Sequence, residues 1–134
     1  MAIQMSTAVR NGRLDAITTA VGNAALIEIY TGAQPANCAA ADSGTKLATL
    51  TGATPFAAGA SSGVLTLGTI TGDSAADATG TAAHYRLKTS GGTCVMQGTV
   101  TATGGGGDMT FTSVSFVSGE PITMTSWTIT EPGA

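Results

Sequence analysis

From residue 24 onward, apolar side chains recur at every second position in short segments. In one of these segments Tyr85 and Leu87 share one parity. His84, Arg86 and Lys88 share the other. A period of two is that of a β-strand with one buried face. The pattern therefore predicts that the second set faces solvent or a partner, and that His84 is a surface histidine.

Turn-forming residues separate the alternating segments at a spacing of roughly 8 to 12 residues, which is typical of an antiparallel sandwich or barrel. Four glycines at 104–107 precede Asp108 and predict a hairpin between the strands on either side. Ile122 and Met124 differ in parity from Trp127 and Ile129, so a β-bulge or a strand buried on both faces is expected there. The predicted strands are 26–31, 46–51, 64–71, 82–89, 93–103, 109–111, 114–116 and 122–131.

Only the segment from Ser6 to Val21 has helical spacing. Val9, Leu14, Ile17 and Val21 approximate an apolar stripe with a period of 3.6 residues. Ser6 is a candidate N-cap and Gly22 a candidate residue for helix termination, whereas Gly12 weakens the helix interior. At 134 residues, the length predicts a single domain over 1–134, with an N-terminal arm and helix at 1–22 and a β-sandwich at 23–134.

The balance of charge argues against several partners. Five Lys and Arg stand against eight Asp and Glu, a formal net charge of -3, so no basic face is available to neutralise phosphates. Nucleic acid is therefore not an expected partner. The sequence has no apolar run of about 20 residues and no convincing signal peptide, so no membrane association is expected either. Only 10% of the residues are charged, too few for an extended disordered coil.

Cys38 and Cys94 are the two cysteines of the chain. Because a product that stays in the cytoplasm keeps its thiols reduced, we expect both to be free, with Cys94 in the core and Cys38 in a loop. Neither has a second Cys or His at zinc-ligand spacing, so we expect no metal site and no cofactor.

No catalytic constellation is found in the sequence. The glycine run lacks the Gly-Lys-Ser or Gly-Lys-Thr of a phosphate-binding loop, and Asp108 in its place repels phosphate. Asp73 and Asp77 share a loop, but turn formation explains them better than calcium binding. Trp127, the only tryptophan, is interpreted as a core or interface anchor, with stacking on a sugar as the less favoured alternative. The protein is therefore not expected to be an enzyme.

Four stretches carry a resemblance to a known family. They are residues 5–11 (MSTAVRN), 39–45 (AAADSGT), 74–86 (SAADATGTAAHYR) and 98–110 (GTVTATGGGGDMT). Together they resemble the capsid cement, or decoration, proteins of tailed bacteriophages, and residues 51–68 are least like that pattern. The resemblance implies a jelly-roll fold, and it carries over no catalytic residues.

The function that the resemblance implies is that of a structural virion protein. It would be made in the host cytoplasm, bind the major capsid protein on the outer surface of the assembled head, and stabilise that head. A homo-oligomer, dimer or trimer, at the symmetry axes of the capsid is expected. The alternative is a tail or fibre module that binds a receptor or glycan. The candidate capsid contacts lie in the N-terminal segment: Ile3, Met5, Val9, Arg10 and Arg13.

Overall fold

The computed structural model describes residues 3–131. This part of the chain is mostly sheet with one short helix, so the predicted all-β class with an N-terminal helix is confirmed. The elements in chain order are α1 (Thr7–Val21), β1 (Leu26–Tyr30), β2 (Lys46–Thr51), β3 (Val64–Thr66), β4 (Gly80–Thr81), β5 (His84–Lys88), β6 (Cys94–Ala102), β7 (Met109–Phe111), β8 (Ser115–Phe116) and β9 (Thr128–Thr130).

Both ends of α1 follow the predicted capping. The Ser6 hydroxyl accepts a hydrogen bond from the backbone N–H of Val9, and Gly22 ends the helix at φ 67°. The helix packs against β3 and buries Leu14 and Val21. The prediction that Val9 belongs to the buried stripe is wrong, because its side chain is 51% exposed.

The principal sheet has five strands in the order β2-β1-β5-β6-β7. The first three pairings are antiparallel, but β6 and β7 are parallel, with Val100 opposite Met109. The predicted hairpin at the glycine run, and an entirely antiparallel sheet, are therefore wrong. Gly104 and Gly106 have φ of 88° and 81°, and this left-handed backbone lets the chain turn back and run beside β6 in the same direction.

Two short sheets, β3-β9 and β4-β8, complete the strand pairing of the described residues. Phe116 of β8 and the partly buried Ile129 of β9 pack into the apolar cluster of the principal sheet. Leu65 of β3 lies instead in a second, smaller cluster with Leu14 of α1. Trp127 packs edge to face against Tyr85, with ring centroids 4.9 Å apart. Of the strand predicted at 122–131, only Thr128–Thr130 is a strand, although Ile122, Met124 and Trp127 are all buried.

The principal sheet is buried on both faces. All five residues of β5 are buried, and so are Glu28 and Tyr30 of β1. The prediction that His84, Arg86 and Lys88 face solvent is therefore wrong. Residues 31–45, which we call the covering segment, lie over this face and contribute the groups that these side chains bind.

A disulfide between Cys38 and Cys94 joins the covering segment to the start of β6, with the two Cα atoms 5.3 Å apart. This corrects the prediction of two free thiols. That prediction depended on the expected cellular compartment, which says nothing about which residues the fold brings together. The covering segment crosses the sheet where β6 begins, and this places the two cysteines side by side. Both are half-buried.

Candidate functional site

The exposed apolar side chains of the described residues concentrate at the N-terminus. Ile3 is 81% exposed and Val9 51% exposed, and Met5 is half-buried. Arg13 lies on the same part of the molecule, and its guanidinium contacts the Met5 sulfur at 3.1 Å. We call Ile3, Met5, Val9 and Arg13 the N-terminal surface. It brings together four of the five residues predicted to contact the capsid.

Arg10, the fifth predicted contact, points into the molecule. Its Nε and Nη2 donate hydrogen bonds to the backbone carbonyl of Glu131, at 3.2 and 3.0 Å. Arg13 also reaches Glu131, by an ion pair of 2.9 Å to the carboxylate. The two arginines therefore attach the first half of α1 to the residue after β9. Arg10 has a structural role that its place in the helical pattern did not reveal.

A cluster of charged and aromatic side chains lies between the principal sheet and the covering segment. Lys88 Nζ forms ion pairs with Glu28 and with Asp42, the latter at 2.8 Å. Arg86 pairs with the other carboxylate oxygen of Asp42 at 2.6 Å. We call Glu28, Tyr30, Asp42, His84, Arg86 and Lys88 the buried charged cluster; Asp42 closes it on the solvent side, with its side chain 42% exposed. Its two acids and two bases neutralise each other, as burial of charge requires.

Arg86 is the residue of this cluster that binds the covering segment most extensively. Its guanidinium donates to the backbone carbonyls of Cys38 and Ala40, at 2.8 and 3.0 Å, in addition to Asp42. Gln97 of β6 donates to the carbonyl of Pro35 at 2.6 Å. Side chains from two strands thus satisfy backbone groups of a segment that forms no strand itself. The cluster holds the covering segment in place.

The pKa values in the cluster reflect these ion pairs. Burial alone would raise the pKa of Asp42, but hydrogen bonds from Lys88, Tyr30 and Arg86 and the charge of Lys88 outweigh it, so the pKa of Asp42 is lowered. Burial alone would lower the pKa of Lys88, but Asp42 and Glu28 raise it. Burial and Glu28 together raise the pKa of the Tyr30 phenol. The ion pair between Asp42 and Lys88 therefore stays charged at neutral pH.

His84 is enclosed within the same cluster and is only 1% exposed. Its Nδ1 lies 2.8 Å from the carbonyl oxygen of Gly32, so this nitrogen carries the proton and donates it. Its ring stacks on Tyr30, with centroids 5.3 Å apart. Nε2 has no hydrogen-bond partner among residues 3–131. Since the ring is closed off from solvent, a substrate in solution cannot reach it in this conformation.

Trp127 is 6% exposed, and its indole N–H donates to the backbone carbonyl of Asp108 at 3.1 Å. Its place against Tyr85 is that of a core anchor, as the first of the two interpretations predicted. Asp108 itself accepts hydrogen bonds from the N–H and hydroxyl of Thr99, at 2.9 and 3.0 Å. The acidic residue after the glycine run therefore caps the edge of β6.

The acidic loop at 73–77 also has a structural role. The Asp73 carboxylate accepts hydrogen bonds from the backbone N–H of Thr49, at 2.9 Å, and of Ala75, at 3.0 Å. The first of these protects the outer edge of β2, and the second closes a turn. Within residues 3–131 no three His, Cys, Asp or Glu side chains come together as metal ligands. The same range holds no helix with the length and apolar character needed to span a bilayer.

Sequence reasoning missed the buried charged cluster because alternation cannot distinguish water from a covering segment. One signal was present. Glu28 of β1 stands directly opposite Arg86 of β5, and their neighbours Tyr30 and Lys88 lie on the same face. Opposite charges that face each other across two strands stabilise their pairing, so this complementarity is a signal for the pair. The sequence alone did not predict that β1 pairs with β5, so the signal was not recognised.

Comparison of the chain with protein-family models, with curated proteins and with solved structures finds no match.

Proposed function

We propose that the protein is a capsid cement, or decoration, protein of a tailed bacteriophage that binds the outer surface of the assembled head and stabilises it. The observation that carries the proposal is the N-terminal surface, where Ile3 and Val9 are the two most exposed large apolar side chains of residues 3–131. The sequence resemblance described above supports it independently. On this proposal, the protein is located in the virion.

A decoration protein needs no deep cleft, because its affinity comes from repetition. An assembled head offers many equivalent sites, so a modest contact at each site suffices when several copies are joined. Binding to the intact lattice, and not to separated subunits, stabilises the lattice by mass action. The partner is the major capsid protein, and a dimer or trimer at a symmetry axis fits these requirements.

The jelly-roll arrangement is the finer part of the proposal. Its support is that Phe116 of β8 and Ile129 of β9 pack against the apolar cluster of the principal sheet, as the second layer of a sandwich does. The alternative, a tail or fibre module that binds glycans, receives no support from Trp127. The indole is only 6% exposed, which leaves little of its ring accessible to a sugar.

The test measures binding of the purified chain to mature phage heads from which this protein has been removed. We expect co-sedimentation with heads and an increase in their melting temperature. Val9→Asp should weaken binding about tenfold or more, because it places a charge where apolar area is buried. Val117→Asp is the matched control, since Val117 is a second exposed valine, 43% exposed, outside the N-terminal surface.

Two results would overturn the proposal. One is that imaging of virions locates the chain on the tail and never on the head. The other is that the wild-type chain binds mature heads no better than it binds an unrelated protein of the same size. Equal binding by the Val9→Asp and Val117→Asp variants would instead reject the N-terminal surface as the contact.

A further inference from the structure

Strand β9 has one edge without a strand partner. Leu67 N–H donates to the Trp127 carbonyl, and Glu131 N–H donates to the Gly63 carbonyl, so the odd-numbered residues of this region face β3. Hydrogen-bonding residues alternate along an antiparallel ladder. The backbone N–H and C=O groups of Thr128 and Thr130 therefore point away from β3, and no described residue pairs with them.

Strand β6 has an unpaired stretch on the side away from β5. Val100 N–H donates to the Ala83 carbonyl, and by the same alternation the groups of Gly98 also face β5. Those of Gln97 and Thr99 face the other way. The Asp108 carboxylate accepts the N–H of Thr99, and β7 pairs with β6 only from Val100 onward. The backbone of Gln97 is left without a strand partner.

The two free edges line the same open cleft. Its volume is about 210 Å³, with Met96 and Gln97 on one side and Thr128, Ile129 and Thr130 on the other. The rings of Tyr85 and Trp127 also line it. We call it the β6–β9 cleft. Free N–H and C=O groups on two opposed edges are what an added β-strand requires. The lining between the edges is mixed, because Asp108 and the threonines of β9 lie beside the two aromatic rings.

We propose that residues 3–5 of a second copy of this chain bind in the β6–β9 cleft as an added strand. Residues 3–6 belong to no helix or strand, and Ser6 has extended backbone, φ -62° and ψ 154°. Ile3, Gln4 and Met5 alternate apolar, polar and apolar, as a strand does that buries one face. The segment carries no charged side chain, and its three residues match the three residues of β9.

The location of the arm favours exchange between copies. Arg10 and Arg13 hold the first half of α1 against Glu131, which directly follows β9, so the arm leaves the molecule near the Thr130 end of the cleft. Within its own molecule the arm lies outside, with Ile3 81% exposed. An arm that extends to a neighbour pairs in that neighbour's cleft, and repetition of this contact closes a dimer or a ring.

The consequence is a continuous sheet across the joined molecules. The added strand would pair with Gln97 of β6 on one side, next to the stretch of β6 that pairs with β7, and with β9 on the other. The β3-β9 sheet would thereby join the principal sheet through the arm. It would bury Ile3 between copies and leave Val9 and Arg13 of the N-terminal surface for another partner. The inference concerns self-association of the purified chain and not binding to heads. It can therefore fail while the proposed function holds, and it can hold while the proposed function fails.

The first experiment measures self-association of the full chain by sedimentation equilibrium. Thr130→Pro removes an N–H that faces the cleft and leaves the ladder to β3 intact, so we expect at least about fivefold weaker association. Thr130→Ala is the matched control, because it keeps the N–H and should associate like the wild type. Ile3→Asp changes a side chain outside the folded body, and it should also weaken association.

The second experiment identifies the segment by cross-linking. The described chain has no free cysteine, so Gln4→Cys and Thr130→Cys variants can be mixed and treated with a short bis-maleimide. We expect a cross-linked dimer from the mixture and none from Gln4→Cys mixed with Ser90→Cys, which places the thiol in the exposed turn between β5 and β6.

Three outcomes would overturn the inference. A wild-type chain that is monomeric at all concentrations up to about 1 mM has no exchanged arm. Association that Thr130→Pro and Ile3→Asp both leave unchanged uses another surface. A cross-link that forms within a single chain carrying both cysteines, but not between chains in the mixture, places the arm in its own cleft.

Discussion

At the scale of single residues, the side chains that most depend on their surroundings are Lys88 and Arg86. Both are basic and both are almost completely buried, and each is neutralised by carboxylates within ion-pair distance. A buried charge is tolerated only while its partner is present, because desolvation costs several kcal/mol per ion. Removal of one partner therefore lowers the free energy of unfolding by more than the intact ion pair contributes to it.

Lys88→Met is expected to destabilise the protein by roughly 3 kcal/mol, because it leaves the Glu28 carboxylate buried without its cation. Urea denaturation monitored by circular dichroism measures this. Lys46→Met is the matched control: Lys46 pairs with Asp77 at 3.8 Å on the surface, and its loss should cost less than about 0.5 kcal/mol. Equal losses from the two variants would contradict the burial of the Lys88 ion pair.

Asp42 predicts a dependence of stability on acid. Its pKa in the folded state is lowered below the ordinary value of 3.8, so its contribution is fully present above that value. The contribution is lost as the pH falls below 3.8 and through the folded pKa. Asp42→Asn should therefore lower the free energy of unfolding at pH 7 and flatten its fall below the ordinary pKa of 3.8. A variant with the same acid slope as the wild type would exclude Asp42 as the cause.

At the scale of elements, the covering segment is ordered without forming a helix or strand. Its backbone carbonyls bind Arg86, His84 and Gln97, and its Cys38 is covalently joined to Cys94. A segment with so little regular hydrogen bonding needs such attachments, because ordering each residue costs roughly 1 to 2 kcal/mol of conformational entropy.

Reduction of the disulfide is expected to destabilise the protein by about 4 kcal/mol, the chain-entropy value for a loop of this size. The two cysteines are separated by 56 residues. Thermal melts with and without reductant measure the effect. In a Cys38→Ser/Cys94→Ser variant the reductant should leave the melting temperature unchanged. If the melting temperature of the wild type also stays constant under reductant, the prediction is wrong.

Replacement of two glycines, one in a helix and one in a strand, by alanine is expected to change the stability of the protein in opposite directions. Nothing lies within 4 Å of a Cβ at Gly12 of α1, so Gly12→Ala should stabilise the protein by about 1 kcal/mol. At Gly98 of β6 a Cβ would stand 2.8 Å from atoms of Tyr85 and Asp108, so Gly98→Ala should destabilise it by roughly 1 to 3 kcal/mol. Denaturant midpoints of the two variants test both, and effects of the same sign would contradict the packing around one of them.

At the scale of the whole molecule, two apolar clusters hold the three sheets and α1 together, and Ile129 of β9 packs against both. The smaller cluster contains Leu14 of α1 and Leu65 of β3. The larger cluster joins the principal sheet to β8 and β9. It includes Ile27 and Leu87 of the principal sheet, Phe116 of β8, and Trp127 beside β9. No sheet can lose its packing without exposing side chains of the others. Folding units of this kind unfold in a single cooperative step.

We therefore expect far-UV circular dichroism and Trp127 fluorescence to give coincident thermal transitions. Trp127 reports on the contact between β5 and β9, and circular dichroism reports on the strands as a whole. The disulfide should be kept oxidised in both measurements. A fluorescence transition clearly below that of circular dichroism would show that β3 and β9 separate from the principal sheet first.

Much of the local structure follows from the sequence by itself, because it depends on neighbours along the chain. Ser6 and Gly22 define the limits of α1 through hydrogen bonds and φ values within a few residues. The two-residue period after residue 24 likewise predicts strands, since successive side chains of a strand must point to opposite faces. These features require no knowledge of what packs against them.

Packing of the whole chain determines which faces are covered and which strands and cysteines meet. The alternation in β5 is the same whether water or the covering segment lies over His84, Arg86 and Lys88. A period of two shows which side chains point to the same face of a strand, but not what packs against that face. The glycine run permits several turns, and packing selected the one that makes β7 parallel to β6. The Cys38–Cys94 bond depends on a contact across 56 residues, which no local pattern encodes.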